Sequence, residues 1–283
     1  MFWANFLHIY QPPTQKEIWV RRIANESYRK IFSGLLEIPR ARISLNINGI
    51  LCELLDKFGG QDVLENINKL LKNGNLELTG SAKYHAFLPL LPESEIERQI
   101  LLNEETLNKY FGDSWRLPTH AYRQAGGRQG FFSPEMAYSK KVAKIAAKLG
   151  YKWIIMDELG FPSGPGTMSR ETTYKVKGIN DFSVFFRERN LSFTILSAQV
   201  GAVPTILRYL GPRVEKNEYV VTAMDGETFG HHRPGLETLL FDLLREETIT
   251  PATISDLAER FSKKEKIEPL DSTWAITKSD LKA

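Results

Sequence analysis

The chain has 283 residues and a formal net charge of +3 on 25% charged residues, a near-balance that gives no reason to expect a nucleic acid or an anionic membrane as partner. With 42% hydrophobic and 11% aromatic residues it is composed to fold, and its length can bury a large core as one barrel or two smaller domains. The one cysteine, Cys52, excludes an internal disulfide and a multi-cysteine metal cage, and suits a reducing compartment.

The N-terminal run FWANFLHIY (2–10) reads as the first strand. No basic segment precedes it, no small-residue cleavage site follows it, and no apolar run in the chain approaches the ~18 residues of a membrane span. A cytoplasmic, non-exported protein is therefore expected. A helical period follows over 16–38, then a strand RISLNI (42–47), a helix over 62–73 and a strand LELTG (76–80). Pro92 and Glu93 open a helix over 93–111 that closes near Gly112. The strand GFFSPE (130–135) precedes a helix over 139–150, with Ser139 as its N-cap and Gly150 at its end. Strands KWIIMDE (152–158), SVFFRER (183–189) and YVVTAM (219–224) follow, then a helix over 236–247 and a helix-like stretch over 253–261. Apolar runs of this length fit strands buried on both faces. Their alternation with helices predicts an α/β fold with a parallel sheet, open or closed into a barrel, and helices outside. Long irregular stretches fall at 81–92, 113–129, 158–172 and 225–235, where function concentrates.

Ligands of parallel α/β folds sit at the carboxyl ends of the strands. Those ends carry His8, Tyr10, Glu77, Glu135, Asp157, Glu158, Arg187, Arg189 and Asp225, and carboxylates on buried strands need a partner or a ligand. Glu135 after Pro134 also reads as an ordinary helix start, and Asp225-Gly226 as an ordinary turn. Two carboxylates on different strand ends are nevertheless what glycosidic cleavage requires, one to attack or activate water and one to protonate the leaving oxygen. Their surroundings must differ so that one keeps its proton while the other is charged. His231 and His232 beside Asp225 raise the alternative of a metal-dependent carbohydrate deacetylase, but adjacent side chains rarely share one ion and no third ligand is suitably spaced. No metal is expected.

The segments HIYQPP (8–13), GNLELTG (74–80) with KYHAFLPLLP (83–92), FFSPEMAYS (131–139), FFRERNLS (185–192) and MDGETFGHHRPG (224–235) resemble, in order, the motifs of glycoside hydrolase family 57. The resemblance implies an incomplete, seven-stranded relative of the (β/α)8 barrel, here a TIM-like (β/α)7 barrel over 1–262. It implies a retaining enzyme of the α-amylase or 4-α-glucanotransferase type acting on α-glucans through a covalent glycosyl-enzyme, without a cofactor. Glu135 would be the nucleophile and Asp225 the general acid and base. His8 and Glu77 would line the sugar subsite at the scissile bond, with Tyr10, Gln11, His85, Arg187, Glu227 and His231 as further substrate contacts. Arg187 is also a candidate partner for Glu135. Tyr10 stands where the family often has a second histidine. Family members usually continue into a helical domain, and 263–283 reads as the truncated start of one. A glucan-binding protein that cannot turn over is the alternative that this truncation favours.

Overall fold

The computed structural model describes residues 1–116, 130–261 and 263–277. Most of the predicted loop 113–129, and 278–283, lie outside the described residues. Strand β1 (Phe2–Ile9) is buried along nearly its whole length. Its even-numbered residues Ala4 and Phe6 join an inner cluster while Trp3, Leu7 and Ile9 join an outer one, the two-residue alternation of a strand covered on both faces. A long helix follows as α1 (Glu17–Ile23), a π turn (Ala24–Tyr28) and α2 (Arg29–Leu36). Then come β2 (Ile43–Ile47), α3 (Gly49–Lys57), α4 (Gln61–Lys72), β3 (Leu76–Leu78) and α5 (Glu93–Phe111). The second half comprises β4 (Gly130–Phe131), α6 (Lys140–Lys148), β5 (Trp153–Asp157), β6 (Thr173–Val176), β7 (Ser183–Arg187), α7 (Arg189–Leu196) and α8 (Val203–Leu210). It ends with β8 (Tyr219–Asp225), α9 (Glu237–Arg245), β9 (Thr250–Pro251), α10 (Ile254–Arg260) and β10 (Lys264–Ile267).

All seven expected strands form. One sheet runs β3-β2-β1-β8 and a second runs β10-β6-β7-β5-β4. Seven parallel strands thus follow one another around the molecule as β1, β2, β3, β4, β5, β7 and β8, without one closed ladder. At one seam Gly80 bridges Phe131, its N–H donating to the Gly130 carbonyl and its carbonyl accepting from the Phe132 N–H, both at 2.9 Å. A side chain at Gly80 would run into the Tyr151 ring, so the seam depends on glycine there. At the other seam the Glu188 N–H reaches the Val221 carbonyl at 2.7 Å. Strand β6 is an addition, antiparallel to β7.

The barrel interior is filled by Phe6, Phe132, Trp153, Phe185, Tyr219 and their neighbours, with Ile254 and Leu257 of α10 packed among them. Each such buried side chain contributes roughly 1.5–3 kcal/mol. Strand register sets two inward layers. Phe6 aligns with Ser44, and Ser44 with Glu77. Two residues further on, His8 aligns with both Asn46 and Asp225. Glu77 therefore lies one layer below His8, and its Oε1 accepts from the Ser44 hydroxyl at 2.5 Å and from the Ile254 and Ser255 N–H groups at 2.8 and 3.3 Å. Period-2 pleating places Glu77 beneath the layer that carries His8, with its Oε2 buried and without a hydrogen-bond partner among the described residues.

Burial pushes the Glu77 carboxyl up from 4.5 to about 7. The folded state thus holds this proton more tightly than the unfolded chain, so the contribution of this one group to stability is full below pH 4.5 and declines as pH rises to about 7. Glu77→Gln, which keeps the acceptor oxygen, is expected to abolish that decline, a difference of roughly 3 kcal/mol by pH 8. Urea unfolding of both proteins across pH 4 to 8 measures it, and identical slopes would refute it.

Residues 263–277 pack onto the barrel. Strand β10 pairs in parallel with β6, and the chain then returns across the strand ends, where the Tyr138 N–H donates to the Ser272 carbonyl at 2.8 Å. Among the described residues no helix is long and apolar enough to cross a membrane.

Candidate active site

Strand β1 delivers His8 into the upper layer. Its Nδ1 lies 2.8 Å from Asn46 Oδ1, the oxygen of an amide whose nitrogen donates to Thr79 at 3.2 Å. His8 Nδ1 therefore carries the proton and Nε2 is free to accept. His85 Nε2 is 3.0 Å away and must be the donor. Burial, and secondarily His85, push the His8 imidazole down to about 3, so it is neutral. Its ring stacks on Phe132 at 4.7 Å and on His85 at 4.9 Å, and Tyr10 stacks on the other ring at 4.2 Å. Tyr10 also feels the Glu135 carboxylate, which adds to the rise that burial gives its hydroxyl pKa. His8, Tyr10 and His85 are thus gathered beside Glu135.

Glu135 occupies a single turn, Pro134–Met136, between β4 and α6. It is not the start of α6: Ser139 is the N-cap, its hydroxyl accepting from the Val142 N–H at 3.3 Å. Glu135 (φ 58°) and Met136 (φ 50°) both lie in the left-handed region, a conformation that costs non-glycine residues about 1–3 kcal/mol each and persists where the surroundings enforce it. The Glu135 carbonyl accepts from the Thr273 hydroxyl at 2.5 Å and from the Trp274 N–H at 3.2 Å. Its side chain is 43% exposed, with Oε2 bonded to the Trp274 indole N–H at 2.9 Å and Oε1 3.9 Å from His85 Nε2.

Asp225 ends β8 on the same inward face as His8, and the turn that follows begins at Gly226, where a side chain would strike Ile9. Burial, and then the Glu135 charge, raise its carboxyl from 3.8 to about 6, with Arg187 acting in the opposite direction. The two carboxyls therefore differ in setting: one is open and held by an indole N–H, the other is enclosed and protonated in mildly acidic solution.

The other candidates are placed differently. Glu227 is buried. Its Oε1 accepts from the Tyr28 hydroxyl, from Gln11 Nε2 at 3.3 Å and from the Tyr10 N–H at 3.2 Å, and burial pushes it up to about 7. Gln11 Oε1 meanwhile accepts from Gln15 at 2.9 Å. Gln11 and Glu227 thus bind each other and anchor the loop carrying Tyr10. The π turn supplies Tyr28 to this anchor. Arg187 is nearest Asp157, at 3.9 Å, rather than Glu135, and its guanidinium lies over Phe193 and Trp274 at 4.8 and 5.4 Å. Asp157 and Glu158 are taken up by structure: Asp157 accepts from the Leu159 N–H at 3.0 Å and pairs with Arg189 at 3.0 Å, while Glu158 accepts from the Arg189 N–H at 3.1 Å. His231 turns to Glu26, 2.6 Å away. Among the described residues no three His, Cys, Asp or Glu side chains are grouped to hold a metal, so Asp225, His231 and His232 do not assemble the deacetylase-type site.

Trp274 and Thr273 escaped the motif reading. The available signal was weak: Trp274 is the only aromatic residue in 263–283.

A family model described as glycosyl hydrolase family 57 matches residues 7–269. An α-amylase of Pyrococcus horikoshii is 24% identical over 242 residues, 83% of this chain and 35% of that protein. The chain thus spans about a third of the length of this curated relative. The crystal structure of a 4-α-glucanotransferase from Thermococcus litoralis aligns at a TM-score of 0.77 with 20% identity, over 96% of this chain and 40% of that one. A family 57 branching enzyme from Pyrococcus horikoshii aligns at 0.77 with 18% identity, over 97% and 73%. At such identities the structures speak to the fold alone, which they share.

Proposed function

The chain belongs to glycosyl hydrolase family 57, and from that membership we propose that it is a retaining glycoside hydrolase or transglycosylase acting on α-glucans, with Glu135 as nucleophile and Asp225 as acid and then base. The observation that carries the reading is that two carboxyls at one set of strand ends stand in contrasting environments, Glu135 half exposed and held by an indole N–H and Asp225 enclosed at the end of β8.

The contrast supplies the proton cycle. In the free enzyme Asp225 is protonated up to about pH 6 because it is buried and faces the Glu135 charge. It protonates the leaving oxygen as Glu135 Oε1 attacks the anomeric carbon. Once Glu135 is esterified its charge is gone, and the acidity of Asp225 increases. The now ionised Asp225 takes a proton from water or from a sugar hydroxyl as that oxygen bonds to the anomeric carbon, and the ester bond to Glu135 breaks to return its carboxylate. The stacked rings of neutral His8, of His85 and of Tyr10 offer the surface that orients the sugar.

The acid assignment predicts a basic limb in kcat/KM near pH 6, because the free enzyme's acid is lost there. A kcat/KM profile flat to pH 9 would contradict it. The function itself is tested by incubation with maltotriose and separation of the products by size. Longer oligomers mean transfer and glucose with maltose means hydrolysis; calorimetric binding without any product means a glucan-binding protein.

A further inference from the structure

We infer that Trp274 is the positioning residue of the Glu135 carboxylate, and that the segment 268–277 carrying it is a working part of the site. The inference rests on Glu135 being the nucleophile. Leaving β10, the chain is fastened at successive points as it crosses the strand ends. Leu270 N–H meets the Gly160 carbonyl at 2.9 Å, where a side chain at Gly160 would collide with Ser272. Ser272 bridges Tyr138. Arg189, itself held by Asp157, bonds the carbonyls of Trp274 and Ile276 at 3.2 and 2.6 Å. Between these fastenings sit the three contacts to Glu135: Thr273 hydroxyl and Trp274 N–H to its carbonyl, and the indole N–H to Oε2.

A carboxylate that attacks through one oxygen benefits from having the other held. The indole is suited to that task because it donates only and cannot reverse the bond. Its plane is set by Arg187 on one side and by edge contacts to Phe132 and His8, with centroids 5.7 and 6.0 Å away. Oε1 is left toward His85 and the incoming sugar. The same donor can stay on Oε2 while Oε1 becomes the ester oxygen and the glycosidic bond breaks, so the indole hydrogen bond is kept through the step.

The test compares Trp274→Phe, which keeps a ring for Arg187, Phe132 and His8 but loses the N–H, with the wild-type full chain. Expected are a kcat reduced about 10- to 100-fold with KM changed less than about three-fold, an equal slowing of covalent labelling by a fluorinated glycosyl fluoride, and a thermal midpoint within a few degrees of wild type. Unchanged kcat and labelling rate would overturn the inference, as would a loss explained by unfolding alone. Thr273→Val, which leaves the indole bond and releases the Glu135 peptide, provides a second reading: slower labelling is expected, and labelling at the wild-type rate in both variants refutes the role. Glu135→Gln run in parallel separates the two levels. Full activity in it removes the nucleophile assignment, whereas a dead Glu135→Gln beside a normal Trp274→Phe removes only the positioning role.

Discussion

Glu135→Gln is expected to lower turnover of maltooligosaccharides by about 10⁴-fold or more. An amide is not a competent nucleophile, and among the described residues no other carboxylate takes its place at these strand ends: Asp225 is the proposed acid, Glu227 is bound to Tyr28 and Gln11, and Glu77 is bound to Ser44 and the start of α10. The loss should be as large for a glycosyl fluoride as for a glucan, since a good leaving group does not replace the attacking oxygen. With its side chain 43% exposed and an acceptor oxygen retained toward Trp274, the variant should fold and still bind glucan. It also removes the charge that raises the Asp225 pKa. Measured kcat on maltoheptaose and on maltosyl fluoride, with calorimetric binding as the fold control, decides the matter.

Asp225→Asn is expected to cost about 10²–10⁴-fold on glucans, the usual value of general acid help. Its pattern should differ. Fluoride departs without a proton, so the first step with a glycosyl fluoride should run near its normal rate while the second, which needs a base, lags. A covalent glycosyl-enzyme should then accumulate, visible as an added mass on the intact protein. A loss equal on both substrates, with no accumulation, would assign Asp225 another role.

Much of this was legible because it is local. The seven strand runs are mostly apolar since nearly every residue in them is buried, and Ser139 announces α6 by an interaction within one turn. Helix α3 (GILCELLDK) was missed because Gly49, Ile50, Leu51, Cys52, Leu54 and Leu55 are all buried, which erases the polar face that would reveal its period. Strand β6 was missed because four residues paired to β7 at only two positions carry little pattern.

The site divides in the same way. Glu135 and Asp225 announce themselves at the ends of apolar runs, whereas their partners come from far along the chain. Glu77 and His8 look alike as strand residues, and only register shows them to be one layer apart. The pairing of His231 with Glu26 spans 205 positions and that of Trp274 with Glu135 spans 139, and no local pattern encodes either. Arg187 was given to Glu135 on charge alone, while burial at the end of β7 puts it against Asp157 and two aromatic rings.

The most direct measurement is covalent trapping with a 2-deoxy-2-fluoro- or 5-fluoro-α-maltosyl fluoride, followed by proteolysis and mass mapping of the modified peptide. A glycosyl adduct on Glu135, formed as activity is lost and absent when an excess of maltooligosaccharide competes, is the predicted result. An adduct on any other residue of an active preparation would contradict the account.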